Sequence, residues 1–562
     1  MKKKGGRKLG GRKISILLLC GLLLLSCTGC GKGKEEIYAG ASLLSGREVQ
    51  MPEASDKYRT FYEIFVYSFY DSNGDGIGDL AGVTEKLDYL NDGDSTTDSD
   101  LGISGIWLMP IMPSNTYHKY DVKDYMAIDP VYGSMEDFEK LVEECGKRDI
   151  NLIIDLVMNH TSSAHPWFQE ACSYLKSIGD GEASVEECPY VEYYNFHKGM
   201  KWGYSQVADT DWYYEANFWS EMPDLNLYSE KVRAEFEEIC KFWLEKGVAG
   251  FRLDAVKEFV SEDTEANVEI LTWFNDMVKG INPDTYLVGE AWTNQPEYAK
   301  YYASGMDSVF DFVFAGDTGL IFRLASGLYQ AEQYGGYVEK AESLYASYNE
   351  NYVNAPFYNN HDLDRAAGYY QGEAALDQAK IAAALNLTMS GNAFVYYGDE
   401  IGMLGAGIDE NKRLGMRWTA DQAGQGMCRG PEAAEAVTQI YGSLEEQQED
   451  FTSMYHYYKN LIRLRNQFPS ITKGKSTHLA EASDKELCVL QKTYGGETVC
   501  LFYNMSGQEK TVDLSGVTLS DGTVLKGKML EASVVSGEER VAVEKDTMTI
   551  PGYSVVVLLV TE

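Results

Sequence analysis

Residues 150–157 read INLIIDLV and residues 248–254 read VAGFRLD. Each is a short, almost wholly apolar run that turns charged at its carboxyl end. A strand needs that composition when both its faces are covered, as in a parallel sheet. Working outward, comparable runs stand at 61–67 (FYEIFVY), 103–109 (ISGIWLM), 286–290 (YLVGE), 308–314, 354–359 and 393–397. Helical spacing appears between them. In 231–246 the residues Val232, Phe236, Ile239, Cys240, Trp243 and Leu244 fall on one face, and Met135, Phe138, Leu141, Val142 and Cys145 do the same in 135–146. Strand–helix units repeated in this way build either a closed barrel or an open doubly wound sheet. Eight units is the number of the (β/α)8 barrel.

Two stretches interrupt the rhythm. Residues 161–222 are too long for a strand-to-helix connection and are rich in Tyr and Trp, so they are read as an inserted domain. Residues 475–562, after a helical pattern at 453–467, alternate in short runs broken at Gly495-Gly496, Ser506-Gly507, Asp521-Gly522 and Pro551-Gly552. That pattern predicts an antiparallel β domain, a sandwich. The expected division is a barrel over 56–160 and 223–470, an inserted domain over 161–222, and a C-terminal β domain over 471–562.

The chain has 562 residues with 49 Lys and Arg against 86 Asp and Glu, a formal charge of −37. A phosphate backbone is repelled by such a surface, so no nucleic-acid partner is expected. The 40 Tyr and 9 Trp, against 7 His, favour flat apolar binding faces over a histidine-rich metal enzyme. Basic residues open the chain (Lys2, Lys3, Lys4, Arg7, Lys8, Arg12, Lys13), followed by the apolar run from Ile14 to Leu25. That run is too short to span a bilayer, which takes about 20 residues, and it fits a secretory signal over 1–26. Leu24-Leu25-Ser26-Cys27 resembles a bacterial lipobox, with Cys30 as a second candidate. Lipidation at Cys27 would anchor the chain to the outside of a bacterial membrane, with 27–55 as a flexible tether. Cys145 and Cys240 fall on helix faces and are expected as buried thiols. Cys172 and Cys188 share one stretch and are candidates for a bridge. Cys428, Cys488 and Cys500 complete an odd set that makes no disulfide scaffold.

Chemistry concentrates at the carboxyl ends of the strands, where barrel side chains converge. Asp155 with Asn159-His160, Arg252 with Asp254, Glu290, and His361-Asp362 close four of the runs. Clustered carboxylates suit glycosidic-bond cleavage, which takes one protonated acid for the leaving oxygen and one ionised carboxylate against the anomeric carbon. Glu290, with Val288 behind it and Trp292 beside it, is placed for a raised pKa. Asp254, two residues from Arg252, is placed to stay ionised.

These motifs, in order, are DLVMNH (155–160), MPDLN (222–226), GFRLDAVKE (250–258), LVGEAW (287–292), NNHD (359–362) and YYGDEIGM (396–403). Together they resemble the α-amylase family of glycoside hydrolases, from Tyr58 to the C terminus. The resemblance implies a (β/α)8 barrel with Asp254 as nucleophile, Glu290 as general acid/base and Asp362 as transition-state stabiliser. It implies that Arg252 orients the nucleophile, that His160 and His361 bind sugar hydroxyls, and that Tyr120 stacks on the sugar ring. Asp121, Asp155 and Lys257 are further expected substrate contacts. The expected partner is a starch-type α-glucan, and the chain is expected to act as a monomer.

Asp71-Ser72-Asn73-Gly74-Asp75-Gly76-Ile77-Gly78-Asp79 sets oxygen donors at alternate positions with Gly at the turn, as in a loop that wraps a hard cation. Position 12 is Gly82 rather than Glu and a strand precedes it, so it is no EF-hand. Similar loops in the family bind Ca²⁺, here through Asp71, Asn73, Asp75, Asp79 and the Ile77 carbonyl. MPDLN is similar to members lying between oligo-1,6-glucosidases and neopullulanases. Ala255-Val256-Lys257 looks like α-1,4-acting enzymes, while Lys257-Glu258 departs from the Lys-His of many α-amylases. The reading is an α-amylase; an α-glucosidase, neopullulanase or 4-α-glucanotransferase could carry the same catalytic set. A non-catalytic glucan-binding relative would have lost carboxylates that are present here. Trp202, Tyr204, Trp212, Tyr213, Tyr214, Phe218 and Trp219 either line the cleft or form the insertion's own core.

Overall fold

A computed structural model describes residues 37–39, 41–42, 52, 56–528 and 532–561. The signal over 1–26 and Cys27 lie outside the described residues. Seven parallel strands form one sheet: Thr60–Ile64, Gly105–Leu108, Asn151–Leu156, Gly250–Leu253, Tyr286–Gly289, Ser308–Val309 and Ala393–Tyr396. They neighbour one another in sequence order, and the last pairs back onto Thr60–Ile64. Between Ser308–Val309 and Ala393–Tyr396, parallel bridges Phe310–Ala355 and Phe357–Phe394 close the ring. The run at 354–359 therefore fills the remaining barrel position through two bridges instead of a ladder. A closed barrel, not an open sheet, is the outcome.

Side-chain parity explains how the barrel is filled. Successive strand residues face opposite ways. Phe61, Trp107, Ile153, Tyr286, Val288, Phe310, Phe357 and Phe394 point inward and form one buried cluster. Phe61 stacks on Phe394 at 4.8 Å and 9°, and Phe310 meets Phe394 edge-on at 4.9 Å. Leu152, Ile154 and Leu156, of opposite parity, join the outer core against the helices. The helices show the expected faces. Glu230–Glu245 buries Val232, Phe236, Ile239, Cys240 and Trp243, and Ser229 caps its start by accepting from the Val232 amide. Met135–Gly146 starts with a capping box of Ser134 and Asp137.

Residues 161–222 hold the helix Pro166–Ile178 and a three-stranded antiparallel sheet of Phe196–Lys198, Trp212–Glu215 and Tyr204–Gln206. Trp212 and Tyr214 are buried, Tyr214 edge-on to Phe168 at 4.7 Å, whereas Trp202, Phe218 and Trp219 are exposed. Cys172 and Cys188 are both free, so the candidate bridge is not made. The C-terminal region has two antiparallel sheets around a common core that includes Val489, Phe502, Met548, Ile550, Val556 and Leu558.

One boundary needs correction. Within 27–55, read as a flexible tether, Ile37–Ala39 pairs antiparallel with Arg540–Glu544, and Ala41–Ser42 pairs with Ala532–Val535. Both C-terminal sheets leave an edge there, and an edge strand's unpaired amides and carbonyls accept a passing extended segment. Low sequence periodicity hid these two strands because each is only two or three residues long.

Candidate active site

The inward parity that gives Ile153 and Val288 to the plug gives Asp155 and Arg252 to the layer above it. Asp155 is in register with Arg252, and Arg252 with Val288. On the first strand the same parity carries Phe61 up to Glu63, which is level with Trp107. The barrel interior thus changes from aromatic to charged over one strand pair. Arg252 sits at that boundary, its guanidinium 5.1 Å from the Trp107 ring centroid.

Arg252 is fully buried and contacts three carboxylates. Its Nη1 donates to both Asp155 oxygens, at 2.8 and 2.9 Å, and to Asp254 Oδ1 at 2.7 Å. Its Nη2 lies 2.9 Å from Glu290 Oε2, which also accepts the Ala255 amide at 3.1 Å. One guanidinium therefore ties Asp254 and Glu290 together from below. A single cation cannot balance three buried anions, so a carboxyl in the cluster keeps its proton readily. Burial pushes Glu290 up to about 7, with Arg252 opposing and Asp254 and Asp362 adding to the rise. Burial likewise carries Asp155 up to about 7 against Arg252.

Asp362 stands across the cavity with the opposite electrostatics. Its Oδ2 is 3.1 Å from His361 Nε2, and its Oδ1 is 3.1 Å from Arg413 Nη2. Against the effect of burial, His361 and Arg413 hold its carboxyl below the ordinary carboxylate range. His361 is raised to about 10 in spite of burial, by Asp362 on one side and Glu63 on the other. Glu63 Oε1 lies 2.6 Å from His361 Nδ1. An acid near 7 and an acid held ionised therefore share one cavity.

That cavity measures about 600 Å³. Of the expected residues, Asp254, Glu290, Asp362, Tyr120, His160, Lys257 and His361 line it. Tyr120 stacks on His361 at 5.5 Å and 15°, with its hydroxyl 2.8 Å from His361 Nε2 and 3.0 Å from Asp155 Oδ2. His160 Nε2 is buried without a hydrogen-bond partner, and burial lowers the imidazole's pKa. Lys257 pairs with Glu258 at 2.5 Å.

Asp121, Asp155 and Arg252 do not line the cavity. Asp121 is 1% exposed, and its carboxylate accepts from Ser114, Thr116, the Asn115 amide and Ser162, leaving it turned inward. Asp155 spends its oxygens on Arg252 and Tyr120. Glu63 and Arg413 escaped the sequence reading. A lone acid inside FYEIFVY was the available signal for Glu63. Arg413 follows the short helix Asp409–Lys412, far along the chain from Asp362, and no local pattern marked it.

In the 71–79 loop, Asp71 accepts the Asn73, Gly74 and Gly76 amides, at 3.2, 2.6 and 2.7 Å. Asp79 accepts from the Ser72 amide and hydroxyl, the Asn73 side chain and the Gly82 amide. Asp75 accepts the Ile77 amide at 2.8 Å. Among the described residues no three His, Cys, Asp or Glu side chains gather as a metal site. Asp71, Asp75 and Asp79 thus direct their oxygens to the loop's own amides and hydroxyls.

Residues 63–474 match the family model described as alpha amylase, catalytic domain. The chain belongs to the alpha-amylase family. It is therefore a glycoside hydrolase. This alpha-amylase family member is 36% identical over 463 residues to Alpha-amylase 3 of Dictyoglomus thermophilum, covering 82% of this chain and 87% of that one. It is 28% identical over 547 residues to a glucan 1,6-alpha-glucosidase of Streptococcus pneumoniae, covering 86% and 98%. Among solved structures, Eubacterium rectale Amy13B superposes with a TM-score of 0.86 at 45% identity, covering 93% of this chain and 99% of that one.

Proposed function

We propose that this glycoside hydrolase is an α-amylase that cleaves α-1,4 bonds of starch-type glucans and maltooligosaccharides with retention of configuration. One observation carries the reading: Asp254 and Glu290 are bridged by a single buried guanidinium, with Asp362 held ionised in the same cavity. Asp254, oriented by Arg252, attacks the anomeric carbon while Glu290 protonates the departing oxygen. Water activated by Glu290 then releases the glycosyl group from Asp254. Asp362 offsets charge on the sugar in the transition state. His160, whose Nε2 lacks a partner, and His361 bind sugar hydroxyls, and the Tyr120 ring packs on the sugar face. The MPDLN and Ala255-Val256-Lys257 signals and the relative named Alpha-amylase 3 support α-1,4 action. The relative named glucan 1,6-alpha-glucosidase keeps α-1,6 action as the second reading.

Residues 161–222 are read as a domain inserted between the third and fourth barrel strands. The all-oxygen donor set of Asp71, Asn73, Asp75, Asp79 and the Ile77 carbonyl suits a hard cation, and we assign Ca²⁺ to it as a structural ion. Residues 1–26 are read as a lipoprotein signal, with Cys27 carrying the lipid and the chain working as a monomer at the outer face of a bacterial membrane.

Five outcomes check these assignments. Chromatography should show maltooligosaccharides released from starch, with pullulan giving no panose and isomaltose no glucose. Asp254→Asn should cut turnover about a thousandfold or more while melting like the wild type; near-normal turnover removes Asp254 from its role. Glu290 must carry its proton to act as acid, so kcat/KM should fall as pH rises through about 7. A profile flat to about pH 9 would assign the proton elsewhere. Chelation should lower the melting temperature and added Ca²⁺ restore it, and indifference to both would leave the loop a plain acidic turn. Cys27→Ala should move the protein from the membrane fraction into the medium; retention in the membrane would contradict the anchor.

A further inference from the structure

Lys119 combines two features that folded chains seldom give a lysine. It is 4% exposed, and its φ is 65°. A lysine is almost never fully buried unless it is paired, and a left-handed backbone is ordinarily left to Gly, Asn or Asp, because a Cβ crowds the following carbonyl. Gly would meet the backbone demand without strain. A lysine kept here against both costs points to work done by its side chain.

The neighbours show where that side chain goes. Its ammonium is 2.7 Å from Asp129 Oδ2 and 5.0 Å from the centroid of the Tyr132 ring. Asp129 and Tyr132 are themselves buried. Asp129 Oδ1 accepts the Val131 amide at 3.0 Å. The Asp129 amide donates to the Ile111 carbonyl at 2.8 Å, and its carbonyl accepts the Tyr132 amide at 2.8 Å. Ile111 comes shortly after the barrel strand Gly105–Leu108, so the ammonium is moored outside its own loop, on backbone fixed to the barrel.

Lys119 stands within 114–122, a segment closed by an antiparallel bridge between Ser114 and Val122. The Asp121 carboxylate gathers the Asn115 amide and the Ser114 and Thr116 hydroxyls, which joins the two arms of the segment to each other. Lys119 adds a tie near the tip, one residue before Tyr120. The Tyr120 hydroxyl is held at its far end by His361 and Asp155, at 2.8 and 3.0 Å. With that end fixed, the backbone at Lys119 sets the other end of the side chain and so the tilt of the ring in the cavity.

We propose that Lys119 is a positioning residue for hydrolysis: its buried side chain, tied to Asp129, holds the left-handed turn that aims the Tyr120 ring at the reacting sugar. The proposal rests on the reading that Tyr120 packs on that sugar.

The test measures kcat and KM on an aryl maltotrioside, well below each variant's melting temperature. Lys119→Met keeps an unbranched side chain without the charge. It should lower kcat about tenfold and change KM less than about twofold, because a misaimed ring costs alignment at the reacting centre more than it costs binding. If Asp129 left without its cation unfolds that variant, Lys119→Gly with Asp129→Asn removes the orphaned charge and the backbone strain together, and it should show the same loss. Placed in a Tyr120→Ala background, either change should alter kcat less than about twofold, since the ring it positions is gone. Wild-type kcat for the variant that folds, or the same loss with and without the Tyr120 ring, overturns the proposal. Wild-type kcat for Tyr120→Ala alone defeats the stacking reading itself, and this proposal falls with it.

Discussion

A buried guanidinium is the constraint on which the site depends. Arg252 has no exposed surface, and removing a charge from water is costly unless partners replace the hydration. Asp155, Asp254 and Glu290 supply those partners, and Trp107 receives its cationic face. The dependence runs both ways. Without Arg252 three carboxylates would face one another across a dry barrel; without Asp155 the guanidinium would have nothing to fix its tilt. The aromatic layer below is part of the same device. Phe61, Phe310 and Phe394 keep water out of the barrel, so the ionic layer has only one open side, toward the cavity.

This layering explains how one cavity holds carboxyls of opposite behaviour. Glu290 shares its cation with two other acids and is buried, so it resists ionisation. Asp362 has its own cation in Arg413 and a second in His361, which Glu63 helps to keep charged. Pairing decides the outcome, since burial alone would raise both.

The strands were legible in the sequence because a strand covered on both faces must be apolar almost throughout. Six of the eight candidate runs became ladder strands of at least four residues beginning within two residues of the expected position, from Thr60–Ile64 to Ala393–Tyr396. The run at 354–359 kept its place in the ring without a ladder, a distinction that hydrogen bonding makes and composition does not. The acids at strand ends were legible for the same reason, as polar residues interrupting apolar runs. Which way each acid turned was not. Asp121 and Asp155 look like Asp254 in sequence, and only neighbours from other segments, Ser114 and Ser162 for one and Arg252 for the other, draw them inward. Arg413 is the converse case, a residue without local signal brought to Asp362 by tertiary structure.

The backbone beside Asp254 shows how tightly the layer is specified. Ala255 has φ of 47°, a left-handed conformation that costs a residue with a Cβ about 1–3 kcal/mol. Straightening it would turn its amide away from Glu290 Oε2 and would disturb the Val256 amide, which donates to the Glu290 carbonyl at 2.9 Å. The strain thus joins the end of one catalytic strand to the end of the next. Ala is small enough to tolerate the turn where the residue is 9% exposed against the cavity wall. Gly would remove the strain but would free the loop that leads to Lys257 and Glu258. Those two residues line both the active-site cavity and a second cavity of about 570 Å³, so the geometry at Ala255 bears on the contact to the acid and on the wall that the two cavities share.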